Sequence, residues 1–189
     1  MEPLPITDEA VLRPFKGTDA AELTAVVAAN REHLARWLPW AASYGQEDPV
    51  DCIARMIAQV EADDGFEGAI VLDGRIVGGA GFHHVDWINR TTSTGYWLAT
   101  DARGRGLMSA TAGVLLCHAF APWDLHRVGD RSRRRQRPQP GGPGAARLHR
   151  GGHPARGEAD RRQLRGRGLY AMPASDWPPT SAREAIGSA

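Results

Sequence analysis

Residues 95–120 read GYWLATDARGRGLMSATAGVLLCHAF, and this stretch decides the fold. Residues 93–99, STGYWLA, carry the aromatic and alternating character of a strand. Arg103-Gly104-Arg105-Gly106 then interrupts the chain. Residues 104–120 continue as a helix, with Leu107, Met108, Val114, Leu115, Leu116 and Phe120 spread over most of its surface. A helix apolar nearly all round is packed against a sheet. A strand running through glycines straight into a helix start has a chemical consequence. The first helical turn carries unpaired N–H groups and a partial positive charge. Glycine permits positive φ and close approach of a ligand to the backbone. Together they make an anion site suited to a pyrophosphate. Arg103 and Arg105 add charge-assisted contacts. Read without a ligand, the same residues are a tight turn bearing two solvated arginines.

Working outward, residues 11–15 (VLRPF) form a short strand candidate. Asp19 and Glu22 give a D-x-x-E capping box ahead of Leu23, Val26 and Val27 at helical spacing. NREHLARWLPW predicts a second helix ending at Pro39. Asp48 as N-cap and Pro49 at the first helical position predict a third, with Val50, Ile53, Ala54, Ile57 and Val60 on one face. Residues 67–72 and 75–87 flank Asp73-Gly74, a hairpin signal. Residues 123–128, WDLHRV, predict the strand after the long helix. Strand, helices, three-stranded meander, helix, strand is the order of an α/β (α+β) domain with a mixed sheet.

Composition sets the outer limits. The chain has 189 residues and 20.5 kDa, room for one domain with or without a tail. Hydrophobic residues at 42% and charged residues at 24% are ordinary for a globular protein. No apolar run reaches membrane-spanning length, and the first fifteen residues lack the pattern of a secretory signal. Cys52 and Cys117 lie far apart, which argues against a disulfide scaffold and a cysteine zinc site and predicts a reducing, cytoplasmic setting.

The net charge of +1 hides a segregation. Residues 129–168 hold 12 Arg, 9 Gly, 4 Pro and three acids, with Leu148 and Leu164 the only larger apolar residues. Such a composition supplies no buried face and predicts disorder. The expected organisation is a core over 1–128, this Arg/Gly/Pro-rich segment over 129–168, and a residual C-terminal strand with tail over 169–189.

The strand–RGRG–helix turn after a meander resembles the acetyl-coenzyme A site of the GNAT N-acetyltransferase superfamily. Three runs narrow the resemblance to its RimJ/RimL branch: the long run at 12–40 ending in N-x-x-x-L-x-x-W-L-P-W (Asn30, Leu34, Trp37, Leu38, Pro39, Trp40), GGAGFHHVDWINRTTSTGYWL, and RGRGLMSAT. Members of that branch acetylate the N-terminal amine of ribosomal proteins. The resemblance implies the GNAT fold, acetyl-coenzyme A as co-substrate, no metal, and a protein N-terminus as acceptor. It places the cofactor pyrophosphate on the amides of Arg103, Gly104, Arg105, Gly106, Leu107, Met108 and Ser109. Leu98 and Ala99 would bond the pantetheine arm through their backbone, one N–H also stabilising the tetrahedral oxyanion. Trp37 and Trp40 would wall the acceptor site, although core packing explains tryptophans equally well.

The base is less legible. Alternation puts His83 on one face and His84 with Asp86 on the other, so His84 or Asp86 is a candidate. A half-buried polar role is the plainer reading of both. Many family members carry a glutamate just before the G-Y-W motif, where this chain has Thr91 to Thr94.

The resemblance runs from residue 10 to 128 and stops. The family continues with an N-x-x-S helix, E-R-L-G-F and two closing strands, and the resemblance resumes here at Leu169-Tyr170-Ala171-Met172 and Ser175-Asp176-Trp177. The chain has 22 Arg and one Lys, the mark of a GC-rich gene. Reading 130–168 one base later permits N-x-x-S and E-R-L-G-F in family order, so a frame shift over 129–168 accounts for the break. The rival reading is a catalytically dead remnant with a basic, RG-rich nucleic-acid-binding segment. The absence of any aromatic residue for base stacking in 129–168 weighs against nucleic acid.

Overall fold

The computed structural model describes residues 2–45, 49–133, 149–150 and 167–177. In chain order they form strands β1 (Leu4–Pro5) and β2 (Ala10–Pro14), then helices α1 (Ala20–Ala29), α2 (Arg31–Ala35), α3 (Trp40–Ser43) and α4 (Pro49–Glu61). The meander β3 (Phe66–Leu72), β4 (Arg75–Phe82) and β5 (Thr91–Leu98) follows. Helix α5 (Leu107–Phe120) leads to β6 (Arg127–Arg133), β7 (His149–Arg150) and β8 (Arg167–Pro173). One sheet runs β1-β2-β3-β4-β5-β6-β8-β7. Every pairing is antiparallel except β5 with β6. The mixed α/β sheet expected from the sequence is present.

Alternation along the strands sends apolar side chains to both faces. Phe66 and Phe82, opposite each other with ring centroids 5.5 Å apart, face α5 and pack with Leu115, Leu116 and Leu125. Ala69, Val71 and Ile76 face the helices α1 to α4 and pack with Leu23, Val27 and Ile53. Ile70 and Val71, neighbours in a sheet covered on both faces, are both buried, each in a different core.

Several local expectations change. The D-x-x-E box does not form: Glu22 Oε1 accepts the Ile76 N–H across the sheet at 2.7 Å. Asp19 instead takes the Arg13 guanidinium at 2.7 and 3.0 Å and the Lys16 N–H at 2.7 Å. The helix expected to end at Pro39 is two short ones, α3 starting straight after that proline. Asp48 lies outside the described residues, and Pro49 opens α4 as expected. The strand drawn as 75–87 stops at Phe82, beyond which only the His83 N–H and an isolated Asp86–Thr91 bridge continue the pairing.

The strand drawn as 123–128 is displaced. The Leu125 N–H turns back to the Ala119 carbonyl at 2.9 Å, Trp123 packs on Phe82 and His118, and the ladder begins at Arg127. It then runs past Val128 to Arg133, into the segment expected to be unstructured, and pairs over that length with Arg167–Pro173. Ladder bonds belong to the peptide groups, so glycine and arginine can enter one. Leu169 to Met172, read as a strand, lie within β8. Apart from β7, which pairs with β8, the rest of 129–168 lies outside the described residues.

Asp19 carries a pH prediction. Burial pushes its carboxyl up, but the Arg13 guanidinium and the Lys16 N–H outweigh burial and hold it below the ordinary carboxylate range. A carboxylate lowered in the folded state adds stability that is present above the unfolded value and lost as pH falls through the folded one. Asp19→Asn is expected to cost about 2 kcal/mol at pH 7 and to flatten the loss of stability below about pH 4. Urea unfolding at several pH values measures both. An unchanged acid limb in the variant would remove Asp19 from the account.

Candidate functional site

The site is a wedge in the sheet with an open amide loop at its mouth. Strands β5 and β6 are parallel, yet they pair only from Thr91↔Arg127 to Thr94↔Asp130. Beyond that point β6 follows β8, while Gly95 to Leu98 remain paired with β4 alone. The two strands therefore part toward their C-terminal ends, with the apex at Thr94.

Ladder alternation shows which peptides face the wedge. The His83 N–H donates to the Ser93 carbonyl at 2.8 Å, and the Ala99 N–H donates to the Val77 carbonyl at 2.8 Å. Hydrogen-bonded and non-bonded pairs alternate in an antiparallel ladder. Ser93, Gly95, Trp97 and Ala99 thus address β4, and the peptide groups of Leu98 address the wedge. This corrects the pairing of Leu98 with Ala99 as arm-binding residues: the Ala99 N–H is spent within the sheet.

The chain after Ala99 is anchored by a residue that carried no role in the sequence reading beyond its place in the N-x-x-x-L motif. Asn30, at the junction of α1 and α2, accepts the Thr100 N–H on Oδ1 at 2.9 Å and holds the Val26 carbonyl through Nδ2. The loop follows. Gly104 (φ +79) and Gly106 (φ +74) are both left-handed, and Gly106 caps α5. Alternating hands turn successive N–H groups to one side, forming an anion-binding concavity. Among the described residues no protein acceptor takes the N–H groups of Arg103 to Ser109. Arg103 to Gly106 are exposed, and a β-carbon on either glycine would meet nothing within 4 Å. The first turn behind them is fixed by Leu107, buried, and by Thr111, whose hydroxyl donates to the Leu107 carbonyl at 2.8 Å. Burial first, then the charges of Arg103 and Arg36, push His33 below its ordinary value, so positive charge gathers around this loop.

Trp37 and Trp40 are 36% and 40% exposed, so each keeps part of its ring clear of the core. Trp40 stands edge-on to Trp97, centroids 6.1 Å apart, and to Tyr44 at 5.7 Å. Arg31, unremarked in the sequence, fixes this segment by donating to the carbonyls of Ala41, Ala42 and Tyr44 at 2.8–3.0 Å.

The two base candidates stand elsewhere. His84 lies beyond the end of β4, with Nδ1 2.5 Å from Asp64 Oδ1. Asp86 accepts the Asn89 N–H and Nδ2 at 2.9 and 2.7 Å, and these bonds hold its carboxyl below the ordinary range. Both are turn-fixing residues of the β4–β5 connection. Among the described residues no group of three or more His, Cys, Asp or Glu is placed to hold a metal.

A splayed parallel strand pair ending at a helix-start amide loop is the architecture of an acyl-coenzyme A transferase. The family model of the acetyltransferase (GNAT) domain matches residues 10–135, and the chain belongs to this family. It is similar to the protein named "Putative ribosomal N-acetyltransferase YdaF" of Bacillus subtilis (strain 168), with 27% identity over 128 residues, 65% of this chain and 68% of that one. Among solved structures, RimJ of Mycobacterium smegmatis with a coenzyme A disulfide superposes with TM-score 0.80 at 24% identity, covering 98% of this chain and 92% of that one. A Salmonella typhimurium acetyltransferase that modifies the N-terminal serine of ribosomal protein L7/L12 superposes with TM-score 0.71 at 20% identity, covering 91% and 99%. The chain is thus a GNAT-family acetyltransferase with the fold of the ribosomal-protein enzymes.

Proposed function

We propose that this chain transfers acetyl from acetyl-coenzyme A to the N-terminal amine of a protein. The observation that carries this reading is the end of β5–β6 pairing at Thr94 on the strand that leads to the loop amides of Arg103 to Ser109, which among the described residues meet no protein acceptor. Those amides and the start of α5 receive the pyrophosphate, with Arg103 and Arg105 adding exposed, salt-sensitive charge. The peptide groups on the wedge edge of β5, Leu98 among them, receive the pantetheine arm and donate to the carbonyl oxygen on which negative charge collects. The co-substrate supplies an activated acetyl thioester. Trp40 and Trp37 offer a flat apolar wall to the first residues of the acceptor. The coenzyme A and acetyl-coenzyme A complexes of related folds support the cofactor.

Acetyl-coenzyme A at about 100 times its Kd is expected to stabilise the protein by ~2.7 kcal/mol, a rise in Tm of roughly 5–10 °C for a chain of this size. Coenzyme A should act likewise, and adenine nucleotides lacking the pantetheine arm should act less. A melting curve blind to acetyl-coenzyme A would dismiss the reading. For the acceptor, thiol release is expected with peptides bearing a free N-terminal serine or alanine, and not with the same peptides N-terminally blocked but containing lysine.

A further inference from the structure

We infer that His83 is the group that takes the proton from the attacking amine, an inference that rests on the acetyl-transfer reading above. His83 sits opposite Ser93, and the pairs Gly81↔Gly95 and Gly79↔Trp97 continue the same face of the sheet. Phe82, its neighbour, is buried against α5, so His83 points to the other face, the one bearing Trp97 and Trp40. Gly95 has no side chain, and the imidazole fills that place: Cε1 and Nε2 both lie 3.0 Å from where a β-carbon on Gly95 would stand. Gly95 is the first residue of β5 beyond its last β6 partner, Thr94. The ring therefore overlies the apex of the wedge.

The apex is where the thioester belongs. An arm anchored at the amide loop and lying along β5 passes Leu98 and runs inward, and Gly95 is about 10 Å deeper at ~3.3 Å per residue. The aromatic wall and the imidazole flank one strip of sheet whose floor is Gly81 and Gly95. Glu67, half-buried, stands opposite Gly81 on β3 and closes the row with a carboxylate that suits a cationic acceptor. His83 is exposed, and among the described residues its ring makes no hydrogen bond, unlike His84, which is held by Asp64.

The step balances without a further reactant. The amine lone pair forms the C–N bond as the carbonyl π pair moves onto oxygen. The nitrogen proton passes to the free imidazole nitrogen. Return of the oxygen pair breaks the C–S bond, and the expelled thiolate takes up the imidazolium proton. Amide and thiol leave, and His83 is neutral again.

The test uses the full chain with a free N-terminal-serine peptide. His83→Ala is expected to lower kcat about 10²-fold, to keep the melting shift given by acetyl-coenzyme A, and to recover at least several-fold with added imidazole. His84→Ala is expected to stay within about twofold. By NMR of ring-labelled histidine, coenzyme A should move the His83 signals and leave those of His84. Gly95→Ala, which displaces the ring without removing it, should reproduce the kcat loss if His83→Ala proves poorly folded. Wild-type kcat in His83→Ala or in Gly95→Ala, or a His83 ring blind to coenzyme A while the protein is stabilised by it, overturns the inference alone. A wild-type protein that coenzyme A and acetyl-coenzyme A fail to stabilise overturns the acetyl-transfer reading instead.

Discussion

Replacing Gly104 and Gly106 together by valine is expected to weaken acetyl-coenzyme A binding at least 10²-fold while leaving the cores intact. A β-carbon at either position meets nothing within 4 Å, so the substitution creates no clash. Its whole effect comes from φ values of +79 and +74. A left-handed conformation costs an ordinary residue roughly 1–2 kcal/mol, and a β-branched one more. The cheapest escape is to rotate the peptides, which turns the N–H groups of Arg103 to Ser109 away from a common centre. Asparagine tolerates the left-handed region, so Gly106→Asn is expected to retain binding within about fivefold. Arg103→Ala and Arg105→Ala should have small, salt-dependent effects, because exposed charges are screened. Titration calorimetry orders the four variants. If the arginine changes outweigh the valine pair, the phosphates are held by side-chain charge and the amide cradle is not the site.

The loop was legible in sequence because its chemistry is local. Glycine spacing, a preceding aromatic strand and a following apolar helix are all contiguous, and they specified both the turn and its polarity. The wedge was legible only through resemblance, since parting of β5 from β6 depends on register between residues more than thirty positions apart. Which peptides face it depends on ladder phase, which a single strand does not disclose, and so Ala99 was paired with Leu98. The same limit governed the histidines. Alternation was projected through His84 and Asp86, but the strand stops at Phe82, and the glycine at 95 and the Asp64 contact are what tell the two histidines apart. The Asp19–Glu22 pair was misread for a related reason. A capping box competes with Arg13 and Ile76, partners from other strands, and charge-assisted bonds to them win.

Restoring the reading frame over 129–168 is expected to raise Tm by roughly 10 °C and to tighten acetyl-coenzyme A binding. After Val128, β6 reads Gly-Asp-Arg-Ser-Arg while lying between two partners, β5 and β8. A strand covered on both edges and facing α5 ordinarily buries alternate side chains. Here Val128 and Met172 are buried, and Trp177 closes the core behind them. The ladder can form on peptide groups alone, and Gly129 to Arg133 of β6 include no large apolar residue. Three or four missing core side chains at about 1.5–3 kcal/mol each are large beside a net stability of order 5–15 kcal/mol. At roughly 2–4 °C per kcal/mol for a chain of this length, even half that deficit moves Tm by about 10 °C. Cofactor affinity follows, because β6 is one wall of the wedge and a less stable wall is ordered at the expense of binding. The comparison is between this chain and one encoded with a single base changed in register after the Val128 codon and corrected near the Gly168 codon. Melting curves with and without acetyl-coenzyme A give the answer. Equal Tm and equal cofactor shifts in the two proteins would establish 129–168 as a functional part of the chain as it stands.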